Sequence, residues 1–213
     1  MKTKNIIFDV DSTLVALEGL DFIAEIKGKG RQVKELTSRA MNGNLSMRKA
    51  MKVKLDIIKP SYFDLIKLGE EYIRNIVPGA REVIQEIKNS GCEVWILTGN
   101  FQPAVGILAN FLGVPLSNVI ANEILFDENG NYVSFNLNHP LSNNNGKKKI
   151  IQSYGKKLAD SVMVGDSFTD LNTKSAVKMF IGYGGVVKRP IVAKEADIYI
   201  TEANLKKILP YLI

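Results

Sequence analysis

Residues 6–14 read IIFDVDSTL, an apolar strand pattern that runs into two carboxylates and two hydroxyls. Extended chain places alternate side chains on one side, so Asp9 and Asp11 start out facing the same way. Two like charges this close repel each other, and a divalent cation is the commonest remedy. A strand end followed by a helix-capping Asp-Ser-Thr run would look similar. This stretch alone therefore leaves both interpretations open.

Length and composition limit the class of protein. The 213 residues, 46% of them apolar, suffice for one large domain or for a core domain with a modest insertion. No apolar run approaches the ~20 residues that cross a bilayer, and no signal-peptide pattern follows Met1. The single cysteine, Cys92, cannot form an internal disulfide, which favours a reducing compartment. We therefore expect a cytoplasmic protein with no membrane partner.

The polar residues limit the chemistry. With His139 as the single histidine, a histidine metal site or a Ser-His-Asp triad is effectively excluded. Catalysis would have to rest on carboxylates, hydroxyls and lysines. The net charge is +6, but the lysines are scattered and no aromatic-basic ladder accompanies them. We expect a small anionic ligand and no nucleic-acid partner.

Strand and helix patterns alternate along the chain, which predicts an α/β fold with a mostly parallel sheet. The predicted strands cover residues 5–10, 93–97, 161–164, 179–181 and 198–200, the predicted helices cover residues 78–90 and 101–112 and resume near Lys147, and a hairpin is predicted across residues 127–130. Residues 18–76 are instead poor in strand patterns and rich in Lys, Met and Leu. We interpret residues 15–76 as an inserted helical cap, with residues 1–14 and 77–213 as the α/β core.

Polar groups also follow a second predicted strand. Thr98, Gly99 and Asn100 come after it, where a helix amino terminus could offer free N–H groups to a phosphate. A turn in which Asn caps the helix is an equally ordinary interpretation. Lys147 lies in the first turn of a predicted helix, against the preference of the helix dipole. A phosphate neighbour would explain that position, although most lysine runs are solvated basic faces.

A third predicted strand leads into the segment GDSFTD at residues 165–170, which places Asp166 and Asp170 four residues apart. Each of these acids could be a helix cap. Two acid-bearing strand ends in one sheet are stronger evidence for a site than one alone.

Taken in order, these segments closely resemble the haloacid dehalogenase (HAD) type phosphatases, and most nearly the branch that hydrolyses phosphoserine. The resemblance covers nearly the whole chain. It implies a Rossmann-like parallel-sheet core with a small helical cap, and a Mg²⁺-dependent phosphomonoesterase that hydrolyses O-phospho-L-serine through an aspartyl-phosphate. Another small phosphorylated metabolite is the first alternative substrate. A non-catalytic ligand-binding homologue is less favoured, because no acid or lysine of the pattern is missing. We expect a monomer or a homodimer.

The resemblance also implies a role for each matching residue. Asp9 would be the nucleophile, and Asp11 would protonate the leaving alkoxide and later activate water. Mg²⁺ would be held by Asp9, the main-chain carbonyl of Asp11 and Asp166, with Asp170 supporting that shell. The phosphoryl oxygens would be bound by Thr98, Gly99 and Lys147. Contacts to the rest of the substrate would come from Glu18, Met41, Asn42, Lys54, Asn100 and Thr169.

The chain departs from the family pattern around the organic part of the substrate. Glu18 would bind an ammonium group, and Lys54 stands where the family carries an arginine that grips a carboxylate. A lysine cannot make the planar two-point contact of a guanidinium, and a snorkelling lysine on an apolar helix stripe is the simpler explanation of Lys54. Asn42, Asn100 and Ser167 replace glycines of the pattern. We expect these changes to reshape the pocket and to leave the phosphoryl chemistry intact.

Overall fold

The computed structural model describes residues 5–41 and 45–212. Its strands are β1 (Asn5–Phe8), β2 (Glu93–Gln102), β3 (Val119–Phe126), β4 (Tyr132–Phe135), β5 (Val162–Gly165), β6 (Met179–Tyr183) and β7 (Ile198–Ile200). Its α-helices are α1 (Gly19–Ile26), α2 (Gly30–Met41), α3 (Met47–Ile58), α4 (Tyr62–Arg74), α5 (Ala80–Asn89), α6 (Ala104–Leu112), α7 (Gly146–Ser153), α8 (Lys156–Ala159), α9 (Phe168–Leu171) and α10 (Pro190–Glu195).

The strands form one seven-stranded sheet in the order β4-β3-β2-β1-β5-β6-β7. Every neighbouring pair is parallel except β3 and β4, which form the predicted antiparallel hairpin. The prediction of an α/β fold with a mostly parallel sheet is therefore confirmed. None of the described helices is long and apolar enough to cross a membrane.

The central strand β1 shows why the site forms where it does. Ile6 and Phe8 are buried in the apolar cluster on one face of the sheet, and Ile7 is buried in the cluster on the other. A strand covered on both faces leaves little room for charged side chains before its end. β1 ends at Phe8, so Asp9 is the first residue past its carboxyl end. Asp9 is flanked by the carboxyl end of β5 and by the middle of β2, because both strands pair with β1 in parallel register.

The second strand corrects one prediction. β2 continues to Gln102, and helix α6 begins at Ala104 rather than at residue 101. The pairing of β2 with β3 shifts register between Leu97 and Phe101, so residues 98–100 form an irregularity within the strand. The prediction that these residues lie at a helix amino terminus was wrong. Such irregularities re-aim side chains next to functional sites.

The predicted insert, residues 15–76, is helical, as its pattern predicted. It contains α1 to α4, and an antiparallel bridge between Val15 and Ile76 joins its two ends. Helix α4 packs closely against α6, since a Cβ added at Gly69 would lie only 2.7 Å from the Ile107 side chain. The helices and the sheet share one apolar cluster. The division into a core and a separate cap domain remains an interpretation.

Candidate active site

One cavity is lined by most of the residues that the sequence predicts to form a site. It measures about 860 Å³ and lies at the carboxyl ends of β1 and β5, next to residues 98–100 within β2. Its lining includes the predicted residues Asp9, Asp11, Glu18, Lys54, Thr98, Gly99, Asn100, Lys147, Asp166 and Thr169. Asp170 is fully buried close to Asp9 and Asp166. Asn42 lies outside the described residues, and so does the side chain of Met41.

Three buried carboxylates converge at the cavity, which Asp9 and Asp166 line and Asp170 adjoins. Asp9, Asp166 and Asp170 each place an oxygen within 4.8 Å of the others. The Lys147 ammonium enters this cluster from the first turn of α7, with Nζ 2.7 Å from Asp9 Oδ1 and 2.6 Å from Asp170 Oδ1. Burial opposes the charge of Lys147, but attraction to Asp170 and Asp9 outweighs it and raises the pKa of the lysine. The lysine is therefore a permanent cation in the site.

The two acids after β1 differ in their affinity for protons. Burial and repulsion by Asp170 raise the pKa of Asp9 to about 6, although contact with Lys147 opposes the rise. Burial and repulsion by Glu18 raise the pKa of Asp11 to about 8, although the Gly19 N–H donates a 2.7 Å hydrogen bond to Asp11 Oδ2. Asp11 thus holds its proton to a higher pH than Asp9 does. Two carboxyl groups with different pKa values can act as an ionised nucleophile and a protonated general acid.

The carboxylate cluster fits a divalent cation. Burial raises the pKa of Asp166 well above its usual range, since repulsion by Asp170 and Asp9 adds to burial while Arg189 opposes it. Acids that ionise this reluctantly need further positive charge nearby, and hard cations prefer oxygen ligands. Asp170 already accepts hydrogen bonds on both oxygens. Lys147 donates to Oδ1, and the Ser167 N–H and hydroxyl donate to Oδ2 at 3.0 and 2.6 Å. Asp166 accepts a 2.8 Å hydrogen bond from Arg189 on Oδ2 but only a long one, 3.5 Å, from the Thr13 hydroxyl on Oδ1, so this Oδ1 is better placed than either oxygen of Asp170 to meet an ion.

The strand irregularity of β2 is held in place by hydrogen bonds. The Thr98 hydroxyl accepts a hydrogen bond from the Asn100 N–H at 3.2 Å. The Gly99 carbonyl accepts one from the Asn122 side chain at 2.8 Å, which ties the segment to β3. Thr98 and Asn100 are buried even though they border the cavity. The segment is therefore a fixed wall of the site.

The groups predicted to bind the organic part of the substrate lie on the helical side. Glu18 Oε1 accepts a hydrogen bond from the Ser12 hydroxyl at 2.9 Å. Lys54 Nζ lies 3.4 Å from Asp21 Oδ1, and the lysine side chain is 13% exposed. Lys54 therefore lies in the cavity wall, in contact with an acid, and is not a freely solvated lysine.

Sequence reasoning missed three charged residues of the cavity lining, Asp21, Lys188 and Arg189. Arg189 Nε lies 2.8 Å from Asp166 Oδ2, and Nη2 lies 3.6 Å from Glu18 Oε1. The sequence signal was a basic pair, Lys188 and Arg189, in the loop after a predicted strand. Asp21 follows Glu18 by three residues, one helical turn, and that spacing could have found it.

The family follows from this fold and from comparison with known proteins. A family model described as a haloacid dehalogenase-like hydrolase matches residues 3–173. The chain therefore belongs to the haloacid dehalogenase-like hydrolase family, which confirms the predicted resemblance and fold.

Two relatives and one solved structure show which members of this family the chain is similar to. The chain is 37% identical over 198 residues to a phosphoserine phosphatase of Drosophila melanogaster, covering 92% of this chain and 73% of the relative. It is 35% identical over 197 residues to the phosphoserine phosphatase of Homo sapiens, covering 92% and 88%. A solved structure described as a phospho-aspartyl intermediate analogue of phosphoserine phosphatase matches with a TM-score of 0.83 and 30% identity, over 100% of both chains. The chain is thus homologous to phosphoserine phosphatases.

Proposed function

We propose that this protein is a Mg²⁺-dependent phosphatase that hydrolyses O-phospho-L-serine to L-serine and phosphate. The observation that carries the proposal is the buried cluster of Asp9, Asp166 and Asp170, whose oxygens lie within 4.8 Å of one another and into which Lys147 Nζ reaches at 2.7 Å from Asp9 Oδ1. The homology to phosphoserine phosphatases supports the choice of substrate. Another small phosphorylated metabolite is the second candidate, because Lys54 replaces the arginine of the family pattern.

The reaction would proceed in two displacements at phosphorus. In the first, an Asp9 oxygen attacks the phosphorus, the bond from phosphorus to the serine oxygen breaks, and Asp11 gives its proton to the departing alkoxide. In the second, the Asp11 carboxylate takes a proton from water as that water attacks the phosphorus. Phosphate leaves and the Asp9 carboxylate is restored. Both acids return to their starting protonation states.

Other residues would stabilise the negative charge of the phosphoryl group and of Asp9 during these steps. Asp9, Asp166 and the main-chain carbonyl of Asp11 would hold Mg²⁺, which when bound lets an anionic carboxylate approach an anionic phosphoryl group. Lys147, the Thr98 hydroxyl and the Gly99 N–H would bind the phosphoryl oxygens as charge redistributes. Asp170 would orient Lys147, since the two share a 2.6 Å contact in a buried setting.

The helical side of the cavity would recognise the amino-acid part. Glu18 would bind the ammonium and Lys54 the carboxylate, because each faces the cavity with its charge only partly matched by neighbours. Met41, Asn42, Asn100 and Thr169 keep the substrate-contacting roles that the family resemblance implies. We also infer that the protein acts in the cytoplasm, where its single cysteine stays reduced.

A substrate panel tests the proposal. Phosphate release would be measured for O-phospho-L-serine, O-phospho-L-threonine, phosphoethanolamine and 3-phosphoglycerate, with Mg²⁺ or Ca²⁺ added to EDTA-treated protein. We expect the highest kcat/KM for phosphoserine and activity restored by Mg²⁺ but not by Ca²⁺, whose larger and looser coordination misplaces the nucleophile. A higher kcat/KM for a substrate without an amino group would favour the second candidate. No turnover of any phosphoester would favour a non-catalytic homologue.

A further inference from the structure

Asp21 is a carboxylate of the cavity wall to which the proposed phosphoryl chemistry assigns no task. It lies on α1, lines the cavity, and has a side chain that is 17% exposed. Its Oδ1 accepts a 2.9 Å hydrogen bond from the Thr37 hydroxyl of α2 and lies 3.4 Å from Lys54 Nζ of α3. Side chains from three helices therefore meet at this one carboxylate, which fixes its position.

Asp21 and Glu18 leave negative charge available at this end of the cavity. The cationic neighbours stand at 3.4 Å from Asp21 and 3.6 Å from Glu18, longer than the roughly 2.7–2.9 Å of a strong charge-assisted hydrogen bond. Arg189 is closer to Asp166, at 2.8 Å, than to Glu18. A carboxylate can accept about four hydrogen bonds, so both acids keep room for a further donor. Repulsion by Asp21 also contributes, after burial, to the raised pKa of Glu18.

The opposite charges of Asp21 and Lys54 are complementary to the ammonium and the carboxylate of an amino acid. A zwitterion that enters between them can present its carboxylate to the lysine and its ammonium to the acids. A substrate that brings a carboxylate without an ammonium meets Lys54 but is also repelled by Asp21 and Glu18. The electrostatic cost of such a mismatch is large in a partly desolvated pocket.

We propose that Asp21 is a specificity-determining residue that, together with Glu18, selects phosphoesters with a neighbouring cationic group and rejects phosphorylated carboxylic acids of the same size. This inference rests on the proposed function, since it concerns the substrate of the same site. The negative charge of Asp21 would discriminate between substrates, in addition to its contact with Lys54.

The test compares two substrates that differ by one group. O-phospho-L-serine and 3-phosphooxypropanoate share the phosphate, the carbon skeleton and the carboxylate, but the second lacks the ammonium. We expect Asp21→Asn to reduce the ratio of their kcat/KM values by about fivefold or more, mainly through KM, because only the ammonium distinguishes their interaction with Asp21. Asp21→Ser provides a second neutral replacement should the first variant fold poorly.

Two control variants test whether the effect comes from the negative charge of Asp21. Asp56→Asn removes the same charge from α3, where Asp56 pairs with Lys52 on an exposed face, and should leave the ratio unchanged. Thr37→Val removes the hydrogen bond to Asp21 but keeps its charge, and should change the ratio less than twofold. If Asp21 only orients Lys54, the neutral variants will lower kcat/KM for both substrates equally, and the inference is overturned.

The result also separates this inference from the proposed function. If the wild-type protein hydrolyses both substrates equally well, the proposed amino-acid substrate is wrong. If the wild type prefers phosphoserine and the Asp21 variants keep the full preference, the proposed function stands and the role of Asp21 alone is wrong.

Discussion

The Lys147 ammonium bridges two carboxylates, lying 2.7 Å from Asp9 Oδ1 and 2.6 Å from Asp170 Oδ1 in a buried arrangement at the edge of the cavity. The lysine thereby orients the proposed nucleophile from one side while Asp170 holds the lysine from the other. It also partly offsets the cost of burying two acids next to each other. The same cation is thus placed to serve both stability and catalysis.

Replacing this lysine should show its catalytic role. Lys147→Met is expected to lower kcat by about a hundredfold or more, the usual loss when a donor to transition-state charge is removed. It should also lower the Tm, because two buried acids lose their shared cation. The matched control is Lys149→Met, which removes an exposed lysine of the same helix and should have little effect on either quantity. A Lys147→Met variant within tenfold of wild type would argue against this role.

The covalent mechanism depends on Asp9. Asp9→Asn should abolish turnover and prevent beryllofluoride from forming a stable mimic of the aspartyl-phosphate in the presence of Mg²⁺. Circular dichroism should show that the fold persists, because the substitution keeps the size of a buried side chain. Hydrolysis near the wild-type rate in this variant would exclude Asp9 as the nucleophile.

The raised pKa of Asp11 predicts the alkaline limb of the pH profile. The kcat/KM for phosphoserine should fall above about pH 8, because Asp11 then no longer carries the proton that the leaving alkoxide needs. For p-nitrophenyl phosphate, whose leaving group departs without protonation, the fall should be much weaker. The two profiles would be measured at a fixed saturating Mg²⁺ concentration. Identical alkaline limbs would show that some other group is responsible.

Asp11 should also make stability depend on pH. Its pKa is about 8 in the folded protein and about 3.8 in the unfolded chain, so between these values the folded state binds more protons. Its contribution to the free energy of unfolding is therefore fully present below about pH 3.8 and is lost as the pH rises towards 8.

Asp11→Asn removes this titration. In EDTA, the variant should melt at least about 3 °C above wild type at pH 8, and the difference should shrink towards zero near pH 4. Thermal melts followed by circular dichroism across that range provide the measurement. A wild-type protein more stable than the variant at pH 8 would contradict the assignment.

The substrate carboxylate should be sensed by Lys54. Hydrogen bonds to charged groups contribute about 1.5–3 kcal/mol, so Lys54→Ala should lower kcat/KM for phosphoserine roughly ten- to a hundredfold. Lys54→Arg should recover much of this loss. Phosphoethanolamine keeps the ammonium and the phosphate but lacks the carboxylate, so its kcat/KM should change little. Lys52→Ala, on the exposed side of the same helix, is the control, and equal losses on both substrates in Lys54→Ala would remove the carboxylate role.

The parts of the site that could be predicted depend on short sequence spacings. Asp9 and Asp11, and likewise Asp166 and Asp170, each follow a strand within a few residues, so parallel pairing alone brings the two segments together. Lys147 was predictable as the second residue of a helix next to the same edge.

The parts that could not be predicted depend on distant partners. β2 continues past residue 97 because its far end pairs with β3, and Asn122 of β3 holds the Gly99 carbonyl. Arg189 belongs to the site through contacts with Asp166 and Glu18, neither of which is near it in sequence. The flanking residues, the basic pair of Lys188 and Arg189 included, do not identify the partners in those contacts.

The close approach of α4 to α6 at Gly69 bears on how the molecule melts. There is no room for a side chain between the two helices, and the apolar residues of the insert and of the sheet are continuous across this contact. Segments that share buried surface in this way lose it together when either one opens. Calorimetry should therefore record one heat-absorption peak for the whole chain, with equal calorimetric and van't Hoff enthalpies.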